Sequence, residues 1–439
     1  MASESIEIYE APSGLPLNRD FIVEARPLVE SRDDPQQWRS VPAYAVDVAN
    51  ANTTRNAFDR HTVALASFDS SAPTTVRVKY KASAIETVAI RPLSLGITAQ
   101  VENDTIVFNL DQPRDVMIEL NGDKWKALHL LTNQIDKDAP TADSEDIWYF
   151  GPGINQGSAY SKVTDGVNLM VPSGKTVYLA GGAFITCRLN FIDVFNSSVK
   201  GHGFILGPEG ECKNVLVNRY RSFSFAGNGD GVDFFCSSDI TIENCFLRNS
   251  DDTIALYSHR WDWYGDSKNI TIRNCVLLPD IAHAINMGTH GNPTKPETTS
   301  HVHISNIDIL DHEENQLWYQ GCIAINAADE NLLHDIHIQD VRVEKITKGQ
   351  LINIRVMKNA MWTTASGRVV HDVHVKNMSV KLQGSKVVNP SMIMGYNQDR
   401  MVKNVTFENL RPKCYMVEDF VPLFVNEHVE GVKFSKSAE

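Results

Sequence analysis

The chain predicts an all-β protein, an N-terminal β-sandwich followed by a parallel β-helix, and three observations carry that prediction. One Asn or Asp recurs every 30 to 37 residues, at Asn244, Asn274, Asn306, Asp340, Asn377 and Asn409. Each copy ends a short apolar–polar alternation such as Ile240-Thr-Ile-Glu243 or Ile270-Thr-Ile-Arg273, which is a strand period and not a helical one. Ahead of the repeats, residues 75–80, 105–110 and 115–120 alternate with period two between turn residues, as the strands of a compact antiparallel sandwich do.

Residues 1–143 form the expected sandwich. Its expected role is to cap the open end of the coil, whose outermost strand would otherwise present unpaired backbone groups. The acidic, Pro-containing stretch 136–146 suits a linker or an exposed loop, and the coil takes residues 144–439. In such a coil equivalent residues of successive turns stack about 4.8 Å apart, so the Asn column is expected to form an amide ladder and Cys245 to lie over Cys275 inside. Cysteines stacked in this way behave as small hydrophobes.

Composition narrows the function. With 42% hydrophobic and 22% charged residues the chain is ordinary for a globular protein, and no apolar run approaches the roughly 20 residues of a membrane span. A formal charge of -13 argues against a nucleic-acid partner. The seven cysteines lack the CxxC spacing of a zinc site, so neither metal nor cofactor is expected. The first twenty residues have no apolar core of a secretory signal, which predicts a cytoplasmic protein or one whose leader has been removed.

Chemistry concentrates in two stretches one turn apart, Asp230-Gly-Val-Asp233 and Asp251-Asp252-Thr-Ile-Ala255. Aligning turns so that Val232, Ile254 and Ile285 are equivalent puts Asp230, Asp252 and His283 in one column. Three ionisable groups stacked inside a coil would be costly, so the column is expected outside it. Asp-Gly is a favoured turn pair and an Asp pair is common at strand entries; together, in order and one turn apart, they point to catalysis. Carboxylates crowded on an apolar scaffold push one another's pKa values apart, which is how an acid and a base are made from the same side chain.

These residues, with His283-Ala-Ile-Asn-Met-Gly288, resemble the motifs of the right-handed parallel β-helix glycoside hydrolases that include polygalacturonases and dextranases. The resemblance implies an inverting hydrolase in which Asp251 is the general acid, Asp230 and Asp252 activate water, and His283 and Asp233 support them. The entry into the helix, Trp148-Tyr-Phe-Gly-Pro-Gly-Ile-Asn155 followed by 171–183, is similar to that of dextranase- and isopullulanase-like enzymes, which implies an α-glycosidic bond in a poly- or oligosaccharide. The Arg-Ile-Lys motif by which polygalacturonases hold a substrate carboxylate is met only approximately and late, by Ile354-Arg355-Val-Met-Lys358.

Substrate contacts are expected from Trp261, Trp263 and Tyr264, whose flat apolar faces suit sugar rings, and from Asn286 and Arg355, with Asn326 and Asn353 on corresponding strands. Packing of a long loop is an equal reading for the aromatics, and a structural hydrogen bond for the amides. A β-helix polysaccharide lyase and a non-catalytic glycan-binding module are the competing classes. The partner in every case is carbohydrate; oligomeric state is left open.

Overall fold

The computed structural model describes residues 5–28, 38–52, 57–157, 168–203, 208–209, 211–382, 384–413 and 422–436. Two antiparallel-rich sheets occupy the N-terminal part. A six-stranded sheet contains Ala57–Ser70, Asp115–Leu120 and Asp123–Gln134, and a five-stranded sheet contains Phe21–Pro27, Thr74–Tyr80 and Thr105–Leu110. Their alternating apolar faces meet in one core, Val23, Val76, Val78 and Phe108 against Ala64, Phe68, Val116 and Leu128. From Ile147–Phe150 a single 20-stranded path of parallel pairs runs to Val429–Ser435, the β-helix.

The repeat predicted from sequence is the register of this helix. Ile240 pairs with Ile270, then Val302, Ile336, Val373, Val405 and the partly buried Val432, so one aliphatic stacks on the next along the coil. At the corner that follows, Asn244, Asn274, Asn306, Asp340, Asn377 and Asn409 all have positive φ, between 53° and 57°. Asn and Asp tolerate that left-handed corner better than other side chains with a Cβ, which is why the period is written in them. Their amides form the expected ladder: Asn306 donates to Asn274 at 2.8 Å, Asn377 to Asp340 at 2.8 Å and Asn409 to Asn377 at 2.9 Å. A second ladder at an earlier corner, with Asn269 on Asp239 at 2.8 Å and Asn404 on Asp372 at 3.0 Å, uses the same left-handed corner. Cys245 and Cys275 are buried at equivalent positions, and the six described cysteines are free; Cys414 lies outside the described residues.

The sandwich does not close an end of the helix. It lies along its flank, with Tyr44, Leu65, Met117 and Leu131 of the six-stranded sheet packed on Phe184, Phe223, Phe246, Leu278 and Leu310 from successive rungs. Polar and charged pairs cross the same seam. Asp115 accepts from Arg221 at 2.6 Å, Asp69 pairs with His202 at 2.5 Å, and Arg91 pairs with Glu344 at 2.6 Å. At the centre Asp280, fully buried, receives Arg248 at 2.9 Å and Lys124 at 3.4 Å. Alternation alone could not show this second covered face: Asp115–Leu120 alternates in sequence, yet Met117 and Glu119 on its other side are buried as well.

Removing one partner from this buried cluster leaves uncompensated charge. Asp280→Ala is expected to lower the unfolding free energy by about 3–5 kcal/mol, read as a shift of the urea midpoint, whereas exposed Asp111→Ala leaves it within about 0.5 kcal/mol.

Candidate active site

Val232, Ile254 and Ile285 pair as the sequence alignment requires, so Asp230, Asp252 and His283 occupy equivalent positions at the entry to three adjacent strands. Val232, Ile254, Leu256, Ile285 and Met287 point into the core. The charged positions fall just before the strands, where the chain leaves the coil, so their side chains are outside the core as predicted. Asp251 stands at the same turn and converges with the column. One carboxylate oxygen each from Asp230, Asp251 and Asp252 lies within 4.8 Å of the other two.

Asp252 is held by four donors. The backbone N–H of His283 reaches Oδ1 at 2.9 Å and His283 Nδ1 reaches the same oxygen at 2.6 Å. Asn286 Nδ2 and the Tyr257 hydroxyl donate to Oδ2 at 2.8 and 3.2 Å. That number fills the acceptor capacity of a carboxylate, which has about four lone-pair sites. Burial alone would raise the Asp252 pKa, but the His283 charge and these hydrogen bonds outweigh it and hold the group ionised.

His283 is the complement. Its Nε2 lies 2.5 Å from the Tyr319 carbonyl, so both ring nitrogens face acceptors and both must donate. Burial works against the cation, yet Asp252 overcomes it and pushes the pKa up to about 9. His312, next along, behaves oppositely: its Nε2 accepts the Gly321 N–H at 3.3 Å, and burial together with the His283 charge pushes it down to about 3. One imidazolium and one neutral imidazole therefore sit side by side, told apart by their partners.

The two remaining carboxyls are raised. Burial, reinforced by Asp252, pushes Asp251 up to about 7, and burial with Asp233, Asp251 and Asp252 pushes Asp230 well above the usual carboxylate range. The Asp251 charge bears on Asp230, so the two do not titrate independently. At neutral pH the cluster holds a fixed anion, a fixed cation and a carboxyl pair that retains protons, which is the equipment of general acid–base chemistry.

Other expected residues divide. Trp261 is exposed and meets Phe235 edge-on at 5.6 Å, and Tyr264 is exposed under the Lys295 ammonium at 4.8 Å. Trp263 packs inward against the buried Phe235 and Tyr257 cluster. Asp233 is buried beside the cluster and contributes charge to it. Asn286 is fully buried behind Asp252 and braces it, and the half-buried Arg355 guanidinium is turned onto the Trp318 carbonyl. Sequence reading missed Glu314, Gln316, Trp318 and Tyr319, which come from the loop entering Ile323–Ala327. Glu314 is buried with a raised pKa, by burial first, and its charge acts on Asp251 and His283. Tyr319 holds His283 by its carbonyl and Asn286 by its hydroxyl, at 2.9 Å. Non-repeating loops carry no periodic signal; only the density of Glu313-Glu314 and Trp318-Tyr319 in one loop marked it.

Comparison with known proteins follows this geometry. The sequence pattern of glycosyl hydrolases family 28 matches residues 188–414, a little over half of the chain. The chain is similar to a polygalacturonase of Chamaecyparis obtusa, 23% identical over 232 residues that cover 46% of this chain and 43% of that protein. It is similar to endopolygalacturonase B of Emericella nidulans, 22% identical over 305 residues that cover 68% of this chain and 72% of that protein. The chain thus spans under half of the Chamaecyparis relative and nearly three quarters of the Emericella one. Among solved structures it shares its fold with Dex49A from Penicillium minioluteum, at a TM-score of 0.53 and 12% identity over 97% of this chain and 96% of that one. That overlap takes in the sandwich as well as the helix. No helix of the described residues is long and apolar enough to cross a membrane.

The protonated His283 is directly observable. Its folded pKa lies above the roughly 6.5 of an unfolded histidine, so its stabilisation is complete below about 6.5 and is lost as pH rises through about 9. Nitrogen chemical shifts at pH 7.5 are expected to report His283 as an imidazolium, with that signal absent in His283→Gln; a neutral ring there would contradict the pairing.

Proposed function

Because this chain belongs to glycosyl hydrolases family 28, we propose that it hydrolyses α-glycosidic bonds of a poly- or oligosaccharide with inversion at the anomeric carbon. The carrying observation is the convergence of three carboxyls in three different electrostatic states around one buried imidazolium. Asp251, protonated near neutral pH, is the acid that delivers a proton to the leaving oxygen. Asp230 is the base: burial and the neighbouring carboxylates raise its pKa, so the reactive form is the minor one in which Asp230 has given up its proton while Asp251 keeps its own, and the Asp230 carboxylate takes a proton from water. Asp252, with its acceptors filled, keeps a fixed negative charge near the developing oxocarbenium ion and holds His283 in place.

The spacing supports a held water. Two acceptors bridged by one water, each about 2.8 Å from it, stand roughly 4.5 Å apart, within the 4.8 Å found here. The same closeness favours a second reading. Inverting enzymes usually separate their carboxyls by roughly 6.5–9.5 Å and retaining ones by about 5–5.5 Å, with a covalent intermediate. Proton NMR of the first anomer released separates the two: an inverted product is expected, and a retained one would make Asp230 a nucleophile.

For the sugar, the rung after His283 supports a neutral α-glycan. A uronate carboxylate is best held by a charge-assisted, preferably bidentate, donor. The strand Ile323–Ala327 offers Ala324 and Asn326 at its outward positions, and Arg355 on the next rung is engaged with Trp318. The names of the two polygalacturonase relatives favour galacturonan as the alternative. Parallel assays on dextran, pullulan and polygalacturonate decide between them, with release of reducing ends expected from an α-glucan; cleavage of polygalacturonate alone would reverse the choice.

Asp251→Asn and Asp230→Asn are each expected to lower kcat by about 100- to 10,000-fold with circular dichroism unchanged. Near-parental rates in both variants would remove the pair from the mechanism. Activity is expected to peak where the pair holds one proton, falling in acid as both carboxyls are protonated and in alkali as both ionise, read as kcat against pH.

A further inference from the structure

We propose that Lys124, carried by the sandwich, is a positioning residue for catalysis, because it pins together the two loop stems that deliver His283 and Glu314 to the site; this rests on the hydrolase reading above. Strand Asp123–Gln134 places the Lys124 ammonium, in a side chain only 6% exposed, 3.4 Å from Asp280, 3.5 Å from Asp311 and 3.7 Å from Glu313. These carboxylates belong to two successive turns of the coil. Asp280 directly follows Ser267–Pro279 and leads into His283. Asp311 and Glu313 follow Thr298–Ile309 and open the loop that carries Glu314 and Tyr319. Asp280 keeps Arg248 at 2.9 Å whether or not Lys124 is present, and Asp311 has Lys345 at 3.9 Å. What Lys124 adds is the link between the turns.

Backbone contacts carry that link to the chemistry. The Ala282 N–H donates to the Glu313 carbonyl at 2.9 Å, and the next residues along the two stems are His283 and Glu314. Ala282 has a φ of 65°, a left-handed conformation that a residue with a Cβ keeps only where its surroundings impose it. The Glu314 N–H in turn donates to the Lys348 carbonyl at 2.9 Å, and Asp311 accepts the Thr347 N–H and hydroxyl at 2.9 and 2.8 Å, so the following turn is tied to the same stem. Two of the groups that keep His283 protonated, the Glu314 charge and the Tyr319 carbonyl, ride on the loop that this stem opens. A shift of the stem relative to Asp280 therefore moves the partners of the imidazolium, although Lys124 itself touches none of the catalytic side chains.

The test compares the full chain with Lys124→Met, which keeps the apolar stem of the side chain without its charge, and with Glu313→Gln, a milder change at a carboxyl whose side chain is 24% exposed. On whichever of dextran, pullulan and polygalacturonate the parent cleaves, Lys124→Met is expected to lower kcat by about 10- to 100-fold with KM little changed, the cost of a displacement of about 1 Å at reacting groups. Glu313→Gln is expected to lower it in the same direction by less, and Lys124→Arg to recover most of the loss. In the protein without glycan, the nitrogen signal of the His283 imidazolium is expected to be lost at a lower pH in Lys124→Met than in the parent, since its acceptors are displaced. His202→Gln cuts the seam contact with Asp69 and reaches neither stem; it is expected to lower the urea midpoint and to leave both readouts unchanged. Parental kcat and an unchanged His283 signal in folded Lys124→Met, or equal losses in His202→Gln, would overturn the inference and leave the hydrolase reading intact. Should Lys124→Met not fold, Glu313→Gln carries the same two readouts. A parent that releases reducing ends from none of the three glycans would sink the hydrolase reading, and the His283 signal then decides on Lys124 by itself.

Discussion

Parallel stacking at the rung spacing is the constraint on which this protein depends. Each coil can bury its apolar strand only against the coils above and below, so any corner residue must be compatible with the corners beside it. Left-handed backbone at those corners is costly for most side chains, and the Asn and Asp columns meet the cost twice over, by tolerating positive φ and by hydrogen-bonding along the ladder, the amides donating and the carboxylates accepting. The same registration that stacks Ile240 on Ile270 also places Asp230 beside Asp252 and Asp252 beside His283. The fold thus delivers ionisable groups at one-rung intervals without a dedicated scaffold for the site.

What separates those groups chemically is a single cation. His283 is fully buried and would be neutral on burial alone; with Asp252 at one nitrogen and the Tyr319 carbonyl at the other, it is an imidazolium. Its charge lets Asp252 stay ionised in the interior and leaves Asp230 and Asp251 to carry protons. Tyr319 is the link between this electrostatic arrangement and the covering of the site, since the residue whose carbonyl fixes His283 also holds Asn286 by its hydroxyl.

The sandwich contributes rigidity from behind. Its second apolar face runs along several rungs, and a seam of buried ion pairs centred on Asp280 fixes the two bodies in register. Pairs buried in this way add little net stability over apolar residues of the same size, but they penalise any displacement that would strand a charge. The rungs beneath the catalytic turns are therefore held from the side, where a cap at one end would have left them free to flex.

The sequence by itself determined the repeat, its strand character, the stacking of Asp230, Asp252 and His283, and the nearness of Asp251, because each follows from a period that every coil must share. Its Asn column proved to be both the corner and the ladder. Tertiary structure alone decided that the sandwich lies on the flank, since the double burial of strands such as Asp115–Leu120 hides their second partner. It also covered Asn286, engaged Arg355 with the Trp318 carbonyl, and brought Glu314, Trp318 and Tyr319 to the site. Those residues sit on loops between rungs, where no neighbouring coil constrains the sequence, and their placement comes from contacts between segments 30 to 40 residues apart, such as His283 with Tyr319. The chemistry was legible because it is periodic; the covering of the site was not, because it is made by the parts of the chain that do not repeat.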